Sequence, residues 1–323
     1  MTTLRFDLRR APASPVTEAE QYRECVEMVR WAEAHGFARV ALSEHHGVDF
    51  VSAPTTLAGV LLGATTEMRV IVNALLVTLH DPVRLAEQVA TLDLASGGRF
   101  TFVAGLGYRH EEFEMAGVDR GRRGAIVEEH VEVLRQAWTG APFDWRGRRV
   151  EVHPALESPV EHVLWMGGSV RRSAERAARL RLPFFTMSTD PAVLDMYADA
   201  CADVGYDEGF AAGPSGPLFV HVSEDPEADW SAIGPFAEYD VQTYNAWQTD
   251  DHDNVAATSA TTAAELRRSG MWQVVTPDEC VALVDDLGGV ALHPLMGGMP
   301  PALGWRSLEL FVDEVLPNLS DPT

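Results

Sequence analysis

The 323-residue sequence predicts an α/β protein and, within that class, a (β/α)₈ TIM barrel. Short apolar runs rich in branched residues alternate with amphipathic helical stretches, which is typical of a parallel sheet with helical crossovers. About eight such units fit into a chain of this length, and barrels of more than about 250 residues often form one domain. Titratable residues follow several strands directly, where barrel enzymes carry their chemistry. We therefore expect a single barrel domain over residues 1–323.

The first half of the chain sets out the alternation of strands and helices. Weak alternation predicts a strand over residues 4–8, and Thr17 is the predicted N-cap of a helix that stops near Gly36. A continuous apolar run over 69–77 predicts a strand buried on both faces. The other elements of this half are a strand over 38–42, a helix over 54–65, a helix over 82–95, a strand over 99–104 and a helix over 122–138.

The second half contains the remaining strands and one long insertion. A short ribbon is predicted over 145–152, followed by strands over 162–166, 184–187, 218–222 and 289–293. Between the last two strands, residues 223–275 are more than a barrel requires, and they contain Trp230, Tyr239, Tyr244, Trp247 and Trp272. These aromatic residues form either a satellite core or a lid over the barrel mouth. Because long barrel loops are usually functional, we expect a lid.

The composition limits the partners and the location of the protein. The net charge is −23, from 25 basic and 48 acidic residues, which disfavours nucleic acid and anionic membranes as partners. Three scattered cysteines support neither a disulfide framework nor a zinc site. The N-terminus lacks a signal-peptide pattern, and no apolar run is long enough to span a bilayer. We expect a cytoplasmic protein that acts on a small molecule without a metal ion.

Glu44, His45 and His46 directly follow the strand predicted over 38–42. A neutral histidine at such a position donates a hydrogen bond to a polar cofactor atom or exchanges protons near pH 7. The alternatives are a solvated loop with a helix-capping carboxylate and a metal site. Adjacent histidines point in different directions and no third ligand is evident in the sequence, which disfavours the metal. Three titratable residues together at a strand end favour a functional site.

Glycine-rich or polar positions mark the ends of three other strands. Residues 167–169 read Gly-Gly-Ser at a strand-to-helix junction, where N–H groups and the helix dipole bind phosphate. Arg171, Arg172 and Ser173 come next, although an ordinary glycine-rich turn is the alternative. Residues 105–107, Gly-Leu-Gly, would let a planar ring approach the backbone. Asn73 lies inside an apolar strand, so its amide is satisfied structurally or marks a bulge that contacts a ligand.

Four segments together resemble the luciferase-like monooxygenases, the flavin-dependent (β/α)₈ family that includes bacterial luciferase. They read GFARVALSEHH, HDPVRLAEQVATLDLASGGRFTFVAGLGYRHEEFEMAGV, the strand followed by MGGS, and PLMGGMPPALGWRSLELFVDEVLP. The resemblance covers nearly the whole chain, and the LASGGRF block with the downstream EEFEMAGV is specific. The fold class that it implies is a luciferase-like barrel with an insertion between the last two strands.

The resemblance also implies roles for particular residues. His45 matches the site histidine near the isoalloxazine ring. Asn73 and Ala74 match the bulge of the third strand, where the family often has a non-prolyl cis peptide under the ring. The other implied cofactor-binding positions are Gly107 and Tyr108 after the fourth strand and Gly168, Ser169, Val170 and Ser173 in the flavin-phosphate loop.

Two departures from the family pattern modify these expectations. Light-emitting members have a cysteine at the position of Gly105 and a phosphate-contacting arginine at the position of Leu106. We therefore expect no light emission, and we expect the phosphate to rely on Arg171, Arg172 or backbone N–H groups. The first strand, LRFDLRRAP, also lacks the apolar tail usual in the family, so the resemblance does not define the floor of the pocket.

Three functions are compatible with these residues. The first is a monooxygenase that uses O₂ and reduced FMN from a separate reductase, since no GxGxxG nicotinamide fingerprint occurs. In it, His45 donates to the flavin or moves a proton, and Glu44 orients His45. The second is hydride transfer with the deazaflavin coenzyme F-420, although the Glu-His-His triplet favours FMN. The third is a non-catalytic flavin-binding or partner subunit. The family commonly dimerises through its second and third helices, and the apolar segment 57–64 suits a homodimer.

Overall fold

A parallel sheet forms the centre of the computed structural model, which describes residues 2–188, 190–214, 216–248 and 258–320. The described strands are β1 (Thr3–Phe6), β2 (Arg39–Leu42), β3 (Arg69–Leu75), β4 (Phe100–Ala104), β5 (Phe143–Trp145), β6 (Arg148–Val150), β7 (Leu164–Gly167), β8 (Phe184–Phe185), β9 (Ala211–Ala212), β10 (Phe219–Val222), β11 (Trp272–Val275) and β12 (Ala291–Leu292). Strands β5 and β6 pair antiparallel outside this sheet and form the predicted ribbon.

From β1 to β9 the spatial order of the strands follows the chain, whereas on the other side β10 lies between β12 and β11. Starting at β1, the order is β2, β3, β4, β7, β8 and β9 on one side and β12, β10 and β11 on the other. Every described pair in this sheet is parallel. The predicted α/β class with a parallel sheet is therefore confirmed.

Helices connect the strands and cover the sheet. The described α-helices are α1 (Glu18–Ala34), α2 (Pro54–Ala64), α3 (Pro82–Ser96), α4 (His110–Ala116), α5 (Arg123–Trp138), α6 (Val160–Val163), α7 (Arg171–Arg179), α8 (Ala192–Asp203), α9 (Pro226–Ala246), α10 (Ala263–Ser269), α11 (Pro277–Leu287) and α12 (Pro301–Leu310). Thr17 caps α1 as predicted, in a capping box with Glu20. Of these helices, none is long and apolar enough to cross a membrane.

Side chains alternate along β1 between the hydrophobic core and the barrel interior. Leu4 and Phe6 are fully buried in the large hydrophobic cluster between sheet and helices. Thr3 and Arg5 point the other way and line an internal cavity. A short strand with this alternation therefore closes the core on one face and presents polar groups to a ligand on the other.

The predicted insertion lies between β10 and β12 and contains regular structure. Helices α9 and α10 form within it, and β11 at its end pairs parallel with β10 and so joins the sheet. Trp230, Tyr244 and Trp272 are buried in a second hydrophobic cluster. Residues 249–257 of the insertion lie outside the described residues. The satellite core is thus present, and a lid function stays a prediction.

Element ends differ from the predictions where capping residues intervene. The strand predicted over 162–166 begins only at Leu164, because Pro159 starts the helical turn α6. The strand predicted over 69–77 ends at Leu75, and a short 3₁₀ turn follows. Helices α4, α8, α11 and α12 were not predicted.

Candidate functional site

One cavity of about 700 Å³ opens at the carboxyl ends of β2, β3, β4 and β7 and extends into the barrel interior. Strand ends of a parallel barrel converge there, which is why residues far apart in sequence meet. All the predicted site residues line this cavity: Glu44, His45, Asn73, Ala74, Gly107, Tyr108, Gly168, Ser169, Val170 and Ser173. The structure thus brings them together, and their roles toward a cofactor stay predictions.

His45 is held by Glu112, a residue that sequence reasoning missed. The Nδ1 atom of His45 lies 2.8 Å from Glu112 Oε1. The same oxygen accepts the backbone N–H of His46 at 3.0 Å and the guanidinium of Arg109 at 3.3 Å. Because this oxygen acts as an acceptor throughout, His45 donates from Nδ1. Its Nε2 atom is then the proton-accepting nitrogen of the neutral ring.

Aromatic rings enclose His45 and keep it neutral. The His45 ring packs 4.6 Å from Trp247 and 4.8 Å from Phe50, centroid to centroid. Burial lowers the pKa of His45 below its usual value, although the hydrogen bond that His45 donates to Glu112 acts in the opposite direction. The Tyr108 hydroxyl lies 3.5 Å from Nε2, and burial raises the pKa of Tyr108, so this phenol keeps its proton. The arrangement favours proton acceptance at Nε2 over donation.

Glu44 does not orient His45, which corrects that expectation. Its Oε1 atom accepts from His46 Nε2 at 2.9 Å and from His80 Nε2 at 2.8 Å, and its Oε2 atom accepts the backbone N–H of Leu76. Burial alone would raise the pKa of Glu44, but the hydrogen bonds from His46 and His80 outweigh it and lower the pKa to about 2. The hydrogen bond that His46 donates to Glu44 also raises the pKa of His46. Glu44 therefore ties the end of β2 to the loop after β3.

His80 is a third potential metal ligand beside Glu44 and His46, and the sequence did not reveal it. Ligand atoms of Glu44, His46 and His80 lie within 4.8 Å of one another. Both histidine Nε2 atoms already lie within hydrogen-bond distance of one carboxylate oxygen. Hydrogen bonding among these side chains accounts for their proximity, and the absence of a metal stays a prediction.

Close backbone contact explains why residue 105 is glycine. The Asn73–Ala74 peptide bond is cis, as the resemblance implied, and the β3–β4 register shifts at this point. A Cβ atom on Gly105 would lie only 2.8 Å from the Cβ atom of Ala74. The space for any side chain at position 105 is thus taken by the bulge of β3. The glycine that departs from the light-emitting pattern is a consequence of local packing.

The start of α7 forms the second end of the cavity. A Cβ atom on Gly168 would lie 2.1 Å from Ser173 Cβ, so only glycine lets the chain turn here. The Ser173 hydroxyl donates to the Val170 carbonyl at 2.7 Å and accepts its N–H at 3.1 Å, which fixes the first helical turn. Arg172 lines the cavity, as expected, whereas Arg171 is not among the lining residues.

Further charged residues at this end were missed by sequence reasoning. Arg123, from the start of α5, and Arg176, on the next turn of α7, also line the cavity. Arg176 donates from Nε to Glu128 at 2.8 Å, which positions its guanidinium. The helical spacing of Arg172 and Arg176 is a readable signal, since residues four apart share one helix face. That α5 lies close to α7 depends on tertiary packing, which no local sequence pattern predicts.

Comparison with known families gives one match over most of the chain. A family model described as luciferase-like monooxygenase matches residues 1–288. The alkanal monooxygenase alpha chain of Photorhabdus luminescens is 27% identical over 203 residues, which are 59% of this chain and 56% of that protein. The match therefore spans little more than half the length of that relative.

Two solved structures of similar fold hold different cofactors. The oxygenating constituent of 3,6-diketocamphane monooxygenase from Pseudomonas putida, a type II Baeyer–Villiger monooxygenase in complex with FMN, gives a TM-score of 0.73 at 18% identity over 100% of this chain and 99% of that one. An F-420-dependent secondary alcohol dehydrogenase with an F-420–acetone adduct gives 0.70 at 15% identity over 99% of both chains. These likenesses confirm the predicted barrel fold.

Proposed function

The chain belongs to the luciferase-like monooxygenase family, and from this premise we propose that it is a flavin-dependent monooxygenase that uses reduced FMN and O₂ to oxygenate a small organic substrate. One observation carries the proposal. A single cavity has a neutral, carboxylate-held histidine at one end and the cationic start of a helix at the other. This pair of environments suits a molecule that carries both a phosphate and a redox-active ring.

The residues present fit FMN at both ends. Arg172 and Arg176 supply positive charge beside the start of α7, and the N-terminus of a helix favours a phosphate group. Gly168 and Gly105 leave their backbone bare where any side chain would collide with the protein itself. A volume of about 700 Å³ lies in the range of cofactor sites. We propose that Asn73, Ala74, Gly107 and Tyr108 contact the ring and that Gly168, Ser169, Val170 and Ser173 hold the phosphate.

Reduced FMN, when bound, would supply the two electrons with which one oxygen atom of O₂ enters the substrate and the other leaves as water. The protein contributes a proton acceptor at His45 Nε2, which Glu112 keeps in the required tautomer. Tyr108 donates toward the same nitrogen. We propose that the insertion 223–275 acts as a lid, with Tyr244 lining the cavity and Trp247 against His45 to exclude water.

A second candidate function is hydride transfer with coenzyme F-420. The solved neighbour that holds an F-420–acetone adduct supports it, because the two chains share the fold over nearly their whole length. A deazaflavin carries a phosphate near its ring as well, so the cationic end of the cavity suits either cofactor. The functions differ in their need for oxygen, since hydride transfer proceeds without O₂.

We also propose the assembly in which the activity operates. A separate flavin reductase would deliver reduced FMN, which is supported by the P. putida neighbour being the oxygenating constituent of its monooxygenase. A homodimer through α2 and α3 is supported by the apolar surface of α2, where Val60 is 50% exposed. A cytoplasmic location is part of the same proposal.

The proposed function is tested by following isotopic oxygen. The protein is given chemically reduced FMN, ¹⁸O₂ and a panel of small aldehydes and ketones, and the products are analysed by mass spectrometry. We expect products that carry one ¹⁸O atom, and we expect His45→Ala to cut turnover by about a hundredfold or more while the fold is kept. The matched control, His162→Ala at an exposed histidine, leaves turnover unchanged. Unlabelled products formed from reduced F-420 without oxygen would favour the second candidate.

A further inference from the structure

Arg5 stands inside the barrel, where its side chain meets whatever fills the cavity. It faces the interior because its neighbours Leu4 and Phe6 on β1 are buried in the core. Its register partner on β2 is Ala41, which also lines the cavity. The small alanine leaves room beside the guanidinium. Arg5 is therefore a cation presented to a bound molecule.

The fold provides no carboxylate partner for Arg5. Among the residues that the structure describes, its guanidinium donates to Tyr244 Oη at 3.2 Å, and no carboxylate oxygen lies within 4.0 Å. Arg9, two residues further along, pairs with Asp7 at 3.0 Å and also with Asp240. The two carboxylates of this region are thus bound to Arg9. Most of the Arg5 donors remain available to the cavity.

A guanidinium in this situation is suited to bind a carboxylate. Its charge persists at every physiological pH, and its planar array of N–H groups matches a carboxylate with two parallel hydrogen bonds. Burial alone would lower the pKa of Arg5, but the nearby Tyr244, Asp7 and Asp240 outweigh it and raise the pKa. The guanidinium therefore stays charged and can pair with an anion that enters the cavity. The surrounding walls include Val103, Leu218 and Val290, which suit the apolar remainder of a small acid.

The Arg5 site lies apart from the cations assigned above to the flavin phosphate. Arg172 and Arg176 belong to α7, which follows β7, and β7 is separated from β1 by three strands of the sheet. The cavity thus has cationic groups on two sides of the barrel. We propose that Arg5 binds a carboxylate of the substrate, so that the protein acts on small organic acids. The oxygenation of such an acid rests on the proposed function, whereas its binding does not.

The test measures acid binding without flavin or oxygen. Isothermal titration calorimetry compares phenylacetate with phenylacetamide, and hexanoate with hexanamide, on the full chain. The variants are Arg5→Gln, which removes the cation, and Ala41→Glu, which offers Arg5 an internal carboxylate while keeping the arginine. Ala41→Gln is the matched neutral control. Arg172→Gln tests the opposite end of the cavity, and thermal unfolding checks that each variant is folded.

We expect the unchanged protein to bind each acid at least about tenfold more tightly than its amide, the usual effect of a charged hydrogen-bonded pair. Arg5→Gln and Ala41→Glu should each abolish this preference. Ala41→Gln and Arg172→Gln should retain it. If Arg5→Gln does not fold, Ala41→Glu with its glutamine control decides the question alone.

Three results would overturn the inference. The first is equal binding of acids and amides by the unchanged protein. The second is an acid preference that survives both Arg5→Gln and Ala41→Glu. The third is a preference lost only in Arg172→Gln, since the acids would then bind at the phosphate end. A protein that prefers acids through Arg5 but never incorporates oxygen would refute the proposed function and leave the carboxylate site standing.

Discussion

The hydrogen bond between His45 and Glu112 determines the direction in which a proton can move. With Nδ1 donating to the carboxylate, Nε2 faces the cavity as an acceptor, and burial lowers the pKa of the ring. A histidine that stays neutral at pH 7 can take up a proton during turnover and release it afterwards. In the proposed reaction, Glu112 would therefore act through His45 as a positioning residue.

Replacing Glu112 tests this coupling through the pH dependence of turnover. Neutral His45 loses activity as pH falls through its pKa, which lies below 6.5, so an acid limb is expected below pH 6.5. Because the Glu112 charge raises that pKa, Glu112→Gln should move the limb to lower pH and reduce turnover by about tenfold. Glu111→Gln, at the exposed neighbouring glutamate, should leave the limb in place. A limb that stays unmoved in Glu112→Gln would refute the pairing.

Glu44 is predicted to stabilise the fold. Its pKa is about 2, against an ordinary value of 4.5, so the folded state favours the ionised carboxylate. This stability is present above pH 4.5 and is lost as pH falls toward 2. Glu44→Gln should therefore lower the free energy of unfolding by about 3 kcal/mol at pH 7 and by much less near pH 3. Urea unfolding at both pH values measures this, with exposed Glu67→Gln as control; an equal loss at both would contradict it.

Sequence reasoning found the cavity residues but not their pairings. Strand ends converge in a parallel barrel, so His45, Asn73 and Gly168 could be placed together from strand positions alone. Glu112 is 67 positions from His45 on a helix that was not predicted, and its contact depends on how α4 docks. Glu44 lies in a loop, where no periodicity predicts the direction of a side chain. Its hydrogen-bond partners, His46 and His80, could therefore not be predicted.

The junction between β7 and α7 shows how one glycine shapes a binding element. Ser173 bonds both the N–H and the carbonyl of Val170, and its side chain occupies the space beside Gly168. Helix α7 therefore begins shortly after β7, and the residues of the turn between them line the cavity. This compact turn is what the Gly-Gly-Ser sequence encodes.

Gly168→Ala should weaken FMN binding selectively. The added methyl would overlap Ser173 and displace the first turn of α7, so affinity for reduced FMN should fall by at least about tenfold while riboflavin, which has no phosphate, is much less affected. Anaerobic fluorescence titration measures both ligands. Gly63→Ala on α2 is the matched control, because a Cβ there meets nothing within 4 Å. Equal weakening of both flavins would argue against a phosphate site at this turn.

The insertion was the element least accessible to sequence reasoning. Helix α9 runs from Pro226 to Ala246 and carries Gly234 and Pro235 in its interior, two residues that normally end a helix. The sequence therefore predicted no helix here, and its aromatic residues were assigned to either a satellite core or a lid. Tertiary packing overrides the local signal, because Ile233, Phe236 and Val241 are buried in the second hydrophobic cluster.

The insertion is attached to the barrel where the site is formed. Arg9, at the end of the first strand segment, pairs with Asp240 of α9 and lies 4.6 Å from the Tyr244 ring. Trp247, just past α9, packs against His45 and lies 4.5 Å from the Arg109 guanidinium. These contacts join the segment after β1, the histidine loop and the insertion beside the cavity, which His45 and Tyr244 line. No single segment of sequence contains all of these residues.

Dimer formation is predicted to depend on α2. This helix is apolar nearly throughout and still exposes half of Val60, which suits a surface that a second copy covers. Val60→Asp should convert the homodimer to monomer at micromolar concentration, as measured by analytical ultracentrifugation. Val204→Asp, the same substitution at an exposed valine after α8, should leave the dimer intact. A wild-type chain that sediments as a monomer would contradict the proposed homodimer through α2.

The choice between FMN and F-420 is tested by an anaerobic titration of the purified chain with reduced FMN and, in parallel, with reduced F-420, followed by admission of oxygen. We expect tight binding of reduced FMN through the α7 junction, followed by oxygen consumption at the bound cofactor. Tight binding of reduced F-420, with reduced FMN bound weakly and no oxygen consumed, would contradict this expectation and assign the cavity to hydride transfer.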